Sequence, residues 1–273
     1  MYSGTTLTPL SGRLLGAHQK IDRLAWASLR DMAKTGTGFP RLRLLLHFEG
    51  INGPDAIKRK SPSKDEPWHY YEPFSRKNQD LIEILSDHYD RLVHALRKQD
   101  EVRAAFEAAW LAHAIVDGLT PAHHFPYEER LVELRGGKSI KSRTTVREKI
   151  VMPGASISEL LKNNWGMWGP KGLLTTHGLF EWGVAAIIAP LTTKRVKLRP
   201  EDIQELYDYG VIGLFKRKAK EIAGMQLYEH YQHRGWTPGL ARQVKLHLVP
   251  VIVRNVALAW YAALIESGSI EKQ

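Results

Sequence analysis

Apolar residues return every three or four positions along most of this chain, and no stretch sustains the one-in-two alternation of a half-buried strand. That periodicity restricts the fold to packed helices. Residues 18–32 carry Ile21, Leu24, Ala25, Leu29 and Met32 as one stripe, with His18 one turn ahead. Residues 80–98 repeat the pattern with Leu81, Leu85, Tyr89, Leu92 and Leu96. Residues 100–119 follow, with Phe106, Ala109, Trp110, His113 and Val116 on the inner side. A short apolar segment at 42–48 ends where Gly50 stops it. Further helices are predicted over 156–164, 174–188, 200–232 and 238–266, and Pro250 should kink or divide the last. Residues 50–71, 126–154 and 191–200 are rich in Pro, Gly, Ser and basic side chains and read as loops. The expectation is one all-α domain over 1–273 with a basic loop insertion at about 126–154.

The chain has 273 residues, 43% of them apolar, and can bury a full core without disulfides. It has no cysteine, which excludes thiolate metal sites, disulfides and cysteine nucleophiles. Any metal must therefore sit on His, Asp and Glu. The opening residues, MYSGTTLTPLSGR, lack the charged-then-apolar order of a signal peptide. The longest apolar run, 248–265, is interrupted by Pro250, Arg254 and Asn255 and reads as a buried helix, not a membrane span. Cytoplasmic residence is the resulting expectation. A net charge of +10 favours anionic partners: nucleic acid, an anionic phospholipid surface or phosphate esters. No protein partner is expected.

The segment His113-Ala-Ile-Val-Asp117-Gly-Leu-Thr-Pro121-Ala-His123 concentrates the chemistry. His113 and Asp117 leave the same helix face one turn apart. Pro121 cannot continue the helix, and the turn it makes can bring His123, or its neighbour His124, back to the same volume. Two imidazoles and a carboxylate are the nitrogen and oxygen mixture that zinc accepts. His177 and Glu181 form a second pair four residues apart. His69 stands in Trp68-His69-Tyr70-Tyr71, after a loop containing Gly53-Pro54-Asp55. Trp68, Tyr70 and Tyr71, with Lys58, Arg59 and Lys60, supply aromatic and basic groups near that histidine. His47 is placed to support the site from behind. Of the twelve histidines, His88, His94, His230, His233 and His247 read as structural.

The pattern His-x-x-x-Asp-x-x-x-Pro-x-His at 113–123 resembles the signature of bacterial zinc-dependent phospholipases C, relatives of the single-strand-specific zinc nucleases. His18, Asp55 in Gly-Pro-Asp, His69 before two aromatics, and His177 with Glu181 follow the family's order over roughly residues 15 to 190. The resemblance implies an all-α enzyme holding two to three zinc ions in one cleft. It implies that His69, His113 and Asp117 hold one zinc, with Asp55 beside it as ligand or general base. Asp117 would bridge to a second zinc that His18 also binds, and His123, His177 and Glu181 would hold the third. In the family a metal-activated water attacks the phosphorus of a phosphodiester. Paired metals lower the pKa of water and offset charge on the attacking and leaving oxygens.

Two features depart from the family's pattern. In the family an N-terminal tryptophan, exposed by leader cleavage, binds one zinc through its amine and carbonyl. Here no tryptophan precedes His18 and Met1 lies seventeen residues upstream, which leaves the His18 shell short of a ligand. The spacing from His123 to His177 is also longer, with room for a basic stretch from Arg135 to Lys149. The functional expectation is a zinc-dependent phosphodiesterase of phospholipase C type, acting on a phospholipid headgroup or on nucleic acid, with peripheral contact to an anionic membrane. The alternatives are a single-strand nuclease using the same cluster and a non-catalytic, metal-stabilised module that binds phosphate-bearing surfaces.

Overall fold

A computed structural model describes residues 1, 16–33, 38–60, 69–75, 80–192 and 196–271. Trp68, Lys194, Arg195 and the side chains of Arg59 and Lys60 lie outside the described residues. The helices are α1 (Ala17–Ala33), α2 (Leu42–Glu49), α3 (Pro54–Lys60), α4 (Asp80–Arg97), α5 (Glu101–Gly118), α6 (Tyr127–Leu134), α7 (Arg147–Ile150), α8 (Ile157–Trp168), α9 (Leu173–Ile188), α10 (Pro200–Gly224), α11 (Leu227–Arg234), α12 (Pro238–Gln243) and α13 (Val249–Glu266). No strand occurs among the described residues, so the fold is all-α as the periodicity requires.

Helix α5 lies at the centre. Six alanines, Ala104, Ala105, Ala108, Ala109, Ala112 and Ala114, keep its surface thin and let α1, α2, α4 and α13 approach closely. Asp100 caps its start by accepting from the Arg103 N–H at 2.9 Å. Trp260 of α13 donates its indole N–H to the Ala108 carbonyl at 3.0 Å, tying the two central helices together. Helix α13 is long and apolar enough, with α12, to cross a membrane by composition, yet its side chains are mostly buried in this core. A second, smaller core of Tyr127, Leu131, Met152 and Met167 sits under α6 and α8.

Several expected boundaries move. The 50–71 stretch contains α3, because Pro54 at the first helical position and Asp55 in the first turn start a helix as readily as they make a turn. The 126–154 stretch contains α6 and α7: Glu128 and Glu129 favour a helix N-terminus, and Leu131 finds the small core. The single helix expected over 200–232 divides after Gly224, where Gln226 takes φ 51°, and Gly210 (φ 64°) kinks it earlier. Pro250 has no N–H and its ring would strike the Leu246 carbonyl. The chain answers with a π-helical turn, Val244–Leu248, directly ahead of α13.

Gly118 closes α5 where the helix is pinched between α4 and α10. A Cβ there would lie 2.4 Å from the Phe215 ring and 2.7 Å from Leu81. Gly118→Ala should therefore cost about 1–3 kcal/mol by overpacking, read as a lower denaturant midpoint. An unchanged midpoint would show that the two side chains yield freely.

Candidate metal centre

The end of α5 explains how one short segment delivers three functional side chains. The Leu119 N–H bonds to the Ile115 carbonyl at 3.0 Å, the Thr120 N–H to Asp117 at 2.9 Å, and the Thr120 hydroxyl to Val116 at 2.7 Å. These bonds satisfy the last carbonyls and stop the helix. Pro121 then opens a 3₁₀ turn, Pro121–His124, whose His123 N–H bonds back to Thr120 at 2.9 Å. The turn carries His123 to the same buried volume as Asp117, with its Nδ1 3.6 Å from Asp117 Oδ1. Residues 69–71 are stitched to this turn: His123 Nδ1 donates to the His69 carbonyl at 2.7 Å, and the Tyr71 N–H donates to the His123 carbonyl at 3.1 Å.

All eight residues singled out in the sequence converge, in three groups. Asp55, His69 and His113 form the first, with Asp55 Oδ1 3.8 Å from His113 Nε2 and 4.0 Å from His69 Nδ1. Asp117 Oδ2 joins them, in contact with His69 Nδ1 and 3.1 Å from His113 Nε2. The second group is His18, His113 and Asp117, with His18 Nε2 3.2 Å from Asp117 Oδ1. The third is His123, His177 and Glu181, in which Glu181 Oε1 lies 2.9 Å from His123 Nε2 and 3.0 Å from His177 Nε2. Asp117 thus turns one oxygen to the first group and the other to the second. Asp55 is the most open member of the first two groups, with its side chain 24% exposed.

Two contributors were not foreseen. Glu49, at the end of α2, is fully buried and places Oε1 2.9 Å from His113 Nδ1 and 3.6 Å from His18 Nδ1. His18 and His113 stack in parallel, 4.0 Å between centroids and 10° between planes. Glu49 thereby faces both rings from behind and leaves both Nε2 atoms toward Asp117. The supporting role expected of His47 does not hold: that ring is exposed and pairs with Asn52 at 2.9 Å. On α2, Glu49 points inward where His47 points out. The other unforeseen group is the Met1 amine, buried 2.5 Å from Asp117 Oδ1 and 3.3 Å from Glu181 Oε1. It shares Asp117 Oδ1 with His18, whose Nε2 lies 3.2 Å from that oxygen.

The donor set fits a divalent cation. His123 Nδ1 must donate to a carbonyl, so the Nε2 lone pair of the neutral ring faces a carboxylate oxygen. The same conflict arises at His113, where Nδ1 donates to Glu49 and Nε2 faces Asp117. Two acceptors in contact need a cation between them, whether a proton or a metal ion. Both His18 ring nitrogens and His69 Nε2 are buried without a hydrogen-bond partner. Four-coordinate zinc with ligand bonds of about 2.0–2.1 Å sets its ligand atoms roughly 3.3 Å apart, close to the spacing in these groups. Buried His, Asp and Glu groups here can hold metal.

The electrostatics agree. Burial holds the His69 imidazole down at about 3, helped by the Lys58 charge, and burial holds His123 at about 4; both rings are neutral and available to metal. Burial raises the Asp55, Asp117 and Glu181 carboxyls, but nearby cations and imidazoles outweigh it and keep all three below the usual range. Burial also lowers the Met1 amine, yet the Asp117, Glu181 and Asp55 carboxylates hold it at about 10.

The choice between His123 and His124 is resolved geometrically. His124 Nε2 donates to the Gly118 carbonyl at 2.8 Å, and burial lowers its pKa to about 4. His88 is structural, its Nδ1 2.5 Å from Glu107. The basic insertion is fastened to α3, the helix of Asp55, by Lys149 Nζ donating to the Lys58 carbonyl at 2.5 Å. Comparison of the chain with family models, with curated proteins and with solved structures finds no match.

Glu49→Gln keeps the volume behind the two histidines and removes the charge. It should weaken metal affinity by about 10–100-fold in a chelator competition, and unchanged affinity would remove Glu49 from this role. A second outcome concerns pH. The Met1 amine is raised from 8.0 to about 10, so its contribution is fully present below pH 8 and lost as pH rises through about 10. Metal-free protein should lose roughly 3 kcal/mol of stability over that interval, at about 1.4 kcal/mol per pKa unit. Metal affinity should rise over the same interval as the competing proton leaves. Flat profiles in both would place the amine elsewhere.

Proposed function

We propose that this protein is a metal-dependent phosphodiesterase whose metal is zinc, held in two or three sites, resembling the zinc-dependent phospholipases C. The observation that carries the reading is the shared Asp117 carboxylate, which joins two His-rich groups into one buried centre beside a third. His69, His113, Asp117 and Asp55 would hold one ion, and His18 with Asp117 a second, with the Met1 amine beside them. His123, His177 and Glu181 would hold the third. When bound, such ions supply an activated water and offset negative charge on a phosphodiester in its transition state.

The protein's own residues supply the rest. Asp55 is ionised and is the carboxylate nearest solvent in the first two groups, which suits it to receive a proton from the attacking water. Glu49 fixes the rings of His18 and His113. Tyr70 stacks on Tyr127 at 4.8 Å and lies 5.1 Å from the His123 ring, forming one aromatic wall beside the third group. Lys58 sits over Tyr70 at 5.3 Å and offers a positive charge to a phosphoryl oxygen entering past Asp55.

Asp55→Asn keeps an oxygen at the site and removes the base. Hydrolysis of a chromogenic phosphodiester should fall by about 10²–10⁴-fold while most of the metal stays bound. Full activity in that variant would reject the assigned role. Absence of hydrolysis in the metal-replete wild-type protein would leave the alternative of a non-catalytic, metal-stabilised module.

A further inference from the structure

Helix α8 carries an apolar stripe on its solvent side. Its inner side is held by two half-buried amides: Asn163 donates to the Pro153 carbonyl at 2.7 Å, and Asn164 accepts from the Met152 N–H at 3.0 Å and donates to the Met152 carbonyl at 2.9 Å, while Ser158, Glu159 and Lys162 are exposed. Gly166 lies against Leu134, and Met167 is the one fully buried side chain of the helix. Four larger apolar side chains face solvent. Ile157, Leu161, Trp165 and Trp168, at i, i+4, i+8 and i+11, form a single stripe with exposures of 81%, 63%, 70% and 43%. Trp168 is fixed in that stripe, its indole N–H donating to the Ile150 carbonyl at 2.6 Å, which adds exposed Ile150 to the patch. A surface helix ordinarily turns such a stripe inward, and a contiguous exposed apolar patch marks an interaction site.

The charge around the stripe identifies the partner. Residues 135–171 carry eight basic side chains and two acidic ones, and of the basic ones Arg135 is buried and Lys149 is bonded to the Lys58 carbonyl. Both acids are engaged locally: Glu148 accepts from the Thr144 and Thr145 N–H groups, and Glu159 from the Ala155 N–H. Arg147, Lys162 and Lys171 are exposed beside the stripe. We infer that this face of α8 docks onto an anionic lipid bilayer, with the tryptophans at headgroup depth, the aliphatic side chains below them and the cations on the acidic headgroups. A second copy of the chain meeting the same face would bring the cationic rims formed by Arg147, Lys162 and Lys171 of the two copies together, which opposes a symmetric pair. Nucleic acid would have no use for exposed Ile157 and Leu161, which offer no stacking surface.

The docking face adjoins the metal centre through the chain itself. Helix α8 passes by Gly169 and Gly172 into α9, which turns His177 and Glu181 inward and Leu179 and Trp182 outward. A bilayer held by α8 therefore lies beside the helix that carries the third group. The docking rests on the patch alone, and its consequence for substrate rests on the phosphodiesterase reading.

Co-sedimentation with vesicles tests the inference, comparing phosphatidylcholine alone with phosphatidylcholine plus phosphatidylserine. Wild-type protein should sediment with the mixed vesicles and be released by high salt. Leu161→Ser/Trp165→Ser changes only exposed side chains and should bind about tenfold or more weakly with unchanged helical circular dichroism. Lys162→Glu/Lys171→Glu should lose the preference for phosphatidylserine. Failure of the wild type to bind, binding that survives both double substitutions, or a dimer in sedimentation velocity that Leu161→Ser/Trp165→Ser disperses would each overturn the inference. Vesicle binding without phosphodiester hydrolysis would leave the docking face standing and remove the enzymatic reading. Hydrolysis without vesicle binding would do the reverse.

Discussion

The arrangement depends on one buried carboxylate. Asp117 faces His69 and His113 through Oδ2, and the Met1 amine and His18 through Oδ1. An ionised carboxylate inside an all-helical core is costly unless several positive or donor groups surround it. The fold answers by drawing α1, α5, the 69–71 segment and the 121–124 turn onto the same point. Removing the side chain would leave the imidazoles of two groups without a common partner, so packing and chemistry have the same centre.

Helix α5 can bear that centre because it is alanine-rich and ends abruptly. Thin alanine faces admit four neighbouring helices, and the Thr120 and Pro121 stop returns His123 within one turn. Glu49 completes the arrangement from behind, holding two stacked rings in the orientation that presents Nε2 to Asp117. The centre is most open on the side of Asp55, next to an aromatic wall and a lysine.

Much of this was legible in the sequence because the ligands come in local pairs. His113 with Asp117, and His177 with Glu181, announce themselves by helical spacing, and Pro121 marks the turn that brings in His123. Glu49 was less legible: it closes a short helix as one acid among apolar residues, and only tertiary packing separates its inward position from the outward one of His47. The Met1 amine carried no local signal, since nothing in the pattern near the start of the chain points to a buried group. Helix boundaries failed where one residue supports two structures. Pro54 and Asp55 serve a turn or a helix start, and Pro250 was met by a π-helical turn, not a clean break. The exposed stripe of α8 escaped because periodicity reports an amphipathic helix without saying which face meets the core.

The central claim is that one carboxylate would be a ligand common to two metal sites, while His123, His177 and Glu181 would hold a third ion without it. Native mass spectrometry of metal-replete protein counts this directly. The account predicts two or three zinc ions per chain, and in Asp117→Asn the loss of the ions held by the first two groups with retention of the one held by His123, His177 and Glu181. No bound metal in the wild type, or an Asp117→Asn protein that keeps the wild-type count, would contradict it.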